Sequence, residues 1–82
     1  MATNLFVGNL PPGMTNADLR AVFGRFGTVL RARVAIDSRS GRRLGFGFVE
    51  MGGGAGEAAR ALDGTAFHGH ALKVREATAA RP

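Results

Sequence analysis

The sequence predicts an α+β domain, a ferredoxin-like βαββαβ sandwich in which a four-stranded antiparallel sheet carries two helices on one face. Three observations predict it. Four short stretches alternate apolar and polar or outward-facing residues with the period of half-buried strands. Two other stretches, Leu19–Phe26 and Ala58–Leu62, repeat their apolar residues at helical spacing instead. Their order, strand–helix–strand–strand–helix–strand, is the split βαβ arrangement, in which each strand buries one side beneath the helices.

The first strand is predicted over Asn4–Asn9, with Leu5 and Val7 facing the helices and Phe6 facing away; Pro11, Pro12 and Gly13 stop it. A helix follows. Thr15 is its N-cap and Asp18, three residues on, completes a relative of the capping box. Met14 and Leu19 occupy the positions of a hydrophobic staple. Leu19, Val22, Phe23 and Phe26 form the core stripe, and Gly27 is the expected C-cap. The second strand is predicted over Thr28–Ile36. Ala32, Val34 and Ile36 share the inner side, while Arg31, Arg33 and Ala35 share the outer side. A polar loop, Asp37–Arg43, leads to a third strand over Gly45–Met51. There Val49 and Met51 point inward, and Leu44, Phe46, Phe48 and Glu50 point outward. The second helix is expected over Ala55–Asp63, with Ala58, Ala59 and Leu62 inward and Gly64 closing it. Gly52, Gly53, Gly54 and Gly56 precede or enter that helix, and a glycine inside a helix costs about 1 kcal/mol relative to alanine. The last strand is predicted over Ala71–Glu76, with Leu72 and Val74 inward.

Length and composition bound the function. Eighty-two residues make one domain, expected over residues 1–76 with a frayed tail over 77–82. The chain has no cysteine, so neither a disulfide nor a cysteine–zinc site staples it. Eleven Lys and Arg against six Asp and Glu leave a formal charge of +5, a balance that attracts polyanions. Arg31, Arg33, Arg39, Arg42 and Arg43 are concentrated in one stretch opposed only by Asp37. No apolar run is long enough to span a bilayer and the N-terminus lacks a signal-peptide pattern, so a cytoplasmic protein without a membrane partner is expected.

The open face decides the function class, because this fold serves many activities. If the first and third strands are neighbours, Phe6, Phe46 and Phe48 form one exposed aromatic patch. Arg31 and Arg33 flank it on the second strand and Lys73 and Arg75 on the fourth. Flat rings ringed by cations fit unpaired nucleobases and their phosphates. A duplex fits poorly, since its bases already stack on one another.

Two segments carry a family resemblance. Leu5-Phe6-Val7-Gly8-Asn9-Leu10 resembles the hexamer ribonucleoprotein motif of RNA recognition motif domains. Leu44-Gly45-Phe46-Gly47-Phe48-Val49-Glu50-Met51 resembles their octamer motif, at the right separation. The likeness runs from Asn4 to about Glu76, and the short form is similar to small single-domain bacterial members. It implies single-stranded RNA binding, with post-transcriptional regulation or RNA chaperoning as the role. By position, Phe6 and Phe48 match rings that stack successive bases, Phe46 matches a ring that packs on sugars, and Asn9 matches a structural position at the strand end. The resemblance implies room for roughly two to four nucleotides on such a sheet. Single-stranded DNA is a variant of the same reading, no cofactor is needed, and a monomer is expected.

The sequence also departs from the pattern. The octamer opens with Leu44 where the family has Arg or Lys; Arg42 or Arg43 could supply the missing cation, although Arg43 should face the other side. Met51 replaces a terminal aromatic, a conservative core exchange. Competing readings are a protein-interaction module on the same fold, or a small hydrolase of the acylphosphatase type. The first would suit a sheet without exposed rings. The second needs a phosphate cradle and a positioned nucleophile or water, and the chain has no Cys, Tyr or Trp and no convergent His–carboxylate pair. His68 and His70 form an isolated His-x-His near a turn, too few ligands for a metal. Arg20, Arg25 and Arg60 are solvated helix residues, and Arg81 is unassigned.

Overall fold

A computed structural model describes residues 2–77. The elements run β1 (Thr3–Gly8), α1 (Asn16–Phe23), β2 (Val29–Ile36), β3 (Arg43–Met51), α2 (Ala55–Leu62), β4 (Ala66–Phe67), β5 (His70–Ala71) and β6 (Lys73–Glu76). The main sheet has the order β2-β3-β1-β6 with every pair antiparallel, and both helices pack on one face of it. The core between the layers holds Leu5 and Val7 from β1, Leu19 and Phe23 from α1, Ala32 and Val34 from β2, and Val49 and Met51 from β3. Ala55, Ala58 and Leu62 of α2 close it with Leu72 and Val74. The expected layers are therefore present, and so are the expected inward residues with the exception of Ile36.

α1 starts as its sequence dictates. The Thr15 side chain accepts from the Asp18 N–H at 3.1 Å, and the Asp18 carboxylate accepts from the Thr15 N–H at 3.1 Å. Two of the unpaired amides of the first turn are thus satisfied. The helix ends a turn earlier than expected, with Gly24 rather than Gly27 as its C-cap. A tighter bond from the Phe26 N–H to the Phe23 carbonyl then swings Phe26 against the core without helical continuation. Gly27 serves a different need: a Cβ there would collide with the Gly53 carbonyl.

Ile36 corrects the inner-side expectation for the second strand. It is 55% exposed, because the β2–β3 register shifts between Val34 and Ile36. The irregularity faces Gly45, whose φ of +88° breaks simple alternation at the start of β3. That strand accordingly begins at Arg43, two residues before the expected start.

α2 begins at Ala55 as expected, behind Gly54 in the left-handed region with φ 81°. A Cβ on Gly54 would meet the Phe26 carbonyl, so the glycine run is where two loops press together. The helix stops at Leu62, and Asp63 is its cap. A small hairpin, β4–β5, occupies the segment read as a loop and the first residue of the last strand. Its turn residues, His68 and Gly69, have φ 51° and 82°, the two positive angles of a type I′ turn. The last strand of the main sheet therefore begins at Lys73, not Ala71. Of the expected tail, Ala77 donates to the Asn4 carbonyl at 2.8 Å; the rest, Arg81 included, lies outside the described residues.

Candidate nucleic-acid interface

Strand pairing builds the open face in rows. Phe6 of β1 partners Phe48 of β3 on one side and Arg75 of β6 on the other, and Phe48 partners Arg33 of β2. Arg33, Phe48, Phe6 and Arg75 thus form one row across all four strands. Strands lie about 4.8 Å apart, so neighbours in a row can touch. One step along, Phe46, Gly8 and Lys73 form a second row. One step the other way stand Arg31, Glu50 and Asn4.

The three rings meet as one cluster. Centroids are 5.7 Å apart for Phe6–Phe46, 5.8 Å for Phe6–Phe48 and 6.0 Å for Phe46–Phe48. Phe6 and Phe46 are tilted by only 31°, whereas Phe48 stands at 67° and 89° to them. Such edge-to-face contacts let the ring quadrupoles attract. Phe48 is 44% exposed, and Phe6 and Phe46 are half-buried against one another. No described element covers this face.

Glycines shape the platform. A Cβ at Gly8 would stand 3.0 Å from Phe6 Cε2 and 3.2 Å from Cζ, so the Phe6 ring lies across bare backbone. Gly47, beneath the sheet between Phe46 and Phe48, leaves no room for a Cβ, which would sit 2.5 Å from the Arg33 carbonyl oxygen. Gly8 shapes the platform without being singled out by the alternation of its strand. Its signal was a glycine two residues beyond an outward phenylalanine, on the same side of the strand.

The basic residues divide into two groups. Arg31, Arg33, Lys73 and Arg75 are exposed and stand in the rows described. Arg42 and Arg43 lie at the end of the β2–β3 loop, both exposed, with Arg43 partnering Ile36. The loop has its own order: the Asp37 carboxylate accepts from the Arg39 N–H, and Ser40 Oγ accepts from the Arg42 N–H. Leu44 is 52% exposed beside this loop. Asn9 is the strand-end device expected of it: its φ is 60°, and Nδ2 donates to the Ala71 carbonyl at 2.9 Å.

His68 and His70 belong to the β4–β5 hairpin, a two-stranded sheet separate from the one that carries the rings. Among the described residues, no group of three or more His, Cys, Asp or Glu side chains could hold a metal ion. Nor is any helix there long and apolar enough to cross a membrane.

The comparisons with known proteins converge. A family model described as "RNA recognition motif" matches residues 5–73. RbpB of Nostoc sp. strain PCC 7120 is 46% identical over 76 residues, covering 90% of this chain and 74% of that protein. The crystal structure of RNA binding protein PG1 superposes with a TM-score of 0.91 at 40% identity, covering 98% of each chain. A Sxl-lethal protein/RNA complex superposes with a TM-score of 0.84 at 35% identity, covering 92% of this chain and 47% of that one.

Proposed function

The chain belongs to the RNA recognition motif family, and from that premise we propose that it binds single-stranded RNA on the open face of its sheet. One observation carries the proposal: three phenylalanine rings in mutual contact, two of which, Phe48 and Phe6, are bracketed in their row by Arg33 and Arg75. Phe6 and Phe48 take one base each by stacking, and their different tilts suit two bases that turn relative to one another. Phe46 packs against the sugar between them. Arg31, Arg33, Lys73 and Arg75 hold phosphates at the margins of the platform. Arg42 and Arg43, at the loop, supply the cation that Leu44 does not. RNA-bound and RNA-binding neighbours of the same fold support this choice of ligand.

A small stacking platform with a mainly electrostatic margin grips a few unpaired nucleotides and leaves duplex alone. That suits a monomeric RNA chaperone or post-transcriptional regulator that recognises exposed single strands. The test is an NMR titration with a short mixed-sequence RNA and the matching DNA. Amides of β1, β3 and the facing parts of β2 and β6 should shift, more strongly with RNA if the 2′-hydroxyls are read. Shifts confined to α1 and α2 would refute the platform.

A further inference from the structure

Beside the aromatic row lies a row of three polar side chains, Arg31, Glu50 and Asn4, in that order from the sheet edge inward. Glu50 stands two residues beyond Phe48 on β3, and Asn4 two residues before Phe6 on β1, on the same face as the rings. Two residues along a strand are about 6.7 Å. The edge of a base stacked on Phe48 would therefore lie within reach of Glu50, which is half-buried between its neighbours.

Glu50 is out of place on a surface that only gathers phosphates. A carboxylate repels phosphate, and when ionised it can only accept hydrogen bonds. It is well placed, however, to read a base edge that offers N–H donors. Guanine alone among the RNA bases presents two adjacent donors, N1–H and the 2-amino group, on its Watson–Crick edge. Adenine and cytosine set an amino group beside a ring-nitrogen acceptor, and uracil sets one N–H between two carbonyls. Each of those three would turn a lone pair toward the carboxylate. The order of the row matches guanine further: Arg31 is a donor on the side where guanine has O6, next to N1.

We propose that Glu50 makes this surface selective for guanine, accepting N1–H and the 2-amino group through its two carboxylate oxygens, with Arg31 giving one of its five N–H donors to O6 and keeping the others for phosphate. This rests on the RNA-platform reading and assigns its base preference. Asn4, opposite Glu50 on β1, ends the row on its inner side with an amide that can both donate and accept.

The test uses short uridine-rich RNAs that carry a single guanosine, inosine or adenosine, with affinity read by fluorescence anisotropy. The full chain should bind the guanosine RNA about tenfold more tightly than the adenosine RNA, the scale of one good bidentate base contact. Inosine, which lacks the 2-amino group, should fall between them. Glu50→Gln keeps the size of the side chain on an open face, so a thermal melt should show it folded. It should lose the guanosine preference while binding all-uridine RNA as before. A guanosine preference that survives in Glu50→Gln would overturn the inference. So would a variant that binds every RNA more tightly by the same factor, which would make Glu50 a mere phosphate repeller. If the wild-type chain bound none of these RNAs, or if Phe48→Ala bound them all as well as the wild type, the platform reading itself would fall and take the inference with it.

Discussion

Phe48 and Phe23 show how one residue type serves two ends. Phe23 is fully buried beneath the sheet, while Phe48 is 44% exposed above it. Phe48→Ala should therefore weaken RNA binding by about 1–3 kcal/mol and barely move the melting temperature. Phe6→Ala should weaken binding by a similar amount but also lower stability somewhat, since its half-buried ring is less exposed than that of Phe48. Parallel binding isotherms and thermal melts check both. Adjacent glycines separate as sharply. Gly54→Ala meets both a φ of 81° and the Phe26 carbonyl, and should destabilise by about 2 kcal/mol or more in a urea melt. Gly56→Ala, two residues on, enters open space inside α2 and should stabilise by about 0.5 kcal/mol. The glycine-rich run reads in sequence as a weak helix start. Only the approach of Gly27 and Phe26 reveals which glycine is required.

Elements are held at their ends and edges by side chains of few kinds. Thr15→Ala removes half of the capping box and should cost about 1 kcal/mol of stability. Asn16 and Asp63 act at a larger distance. The Val34 N–H on β2 donates to Asn16 Oδ1 at 2.7 Å, and the Val74 N–H on β6 donates to Asp63 Oδ1 at 2.9 Å. These strands are the two outer strands of the sheet, so each acceptor occupies an edge amide that could otherwise recruit another strand. Asn16→Ala leaves one such amide without its acceptor and should lower stability by about 1–2 kcal/mol, measured by denaturant titration. Capping was legible because Thr15 and Asp18 are neighbours in sequence. Edge protection was not, because Asn16 and Val34 are brought together only by packing. The β4–β5 hairpin is illegible in sequence for another reason: its strands are two residues each, too short for alternation to register.

The described residues form a slab of 34 × 31 × 19 Å, thin because two helices cover only one side of the sheet. Its charge of +5 gathers partly at the platform margin and partly in the β2–β3 loop. RNA affinity should consequently fall steeply with salt. Replacing one of the cations proposed to hold phosphate, as in Arg33→Ala, should lower the slope of log affinity against log salt by about 0.7, with little dependence on base sequence. An unchanged slope would remove Arg33 from the phosphate contacts. The same series applied to Arg42→Ala tests whether the loop compensates for Leu44.

The sequence by itself determined the order of the four main strands and two helices, the two faces of those strands apart from Ile36, and hence the outward setting of Phe6, Phe46 and Phe48. Alternation and helical periodicity are local properties, and burial of one apolar side leaves no choice about the other. Tertiary structure alone decided the cross-strand register that brackets the rings with Arg33 and Arg75, sets Glu50 opposite Asn4 and turns Ile36 outward. Register depends on bulges and on contacts between residues far apart in the chain, and no local pattern encodes those.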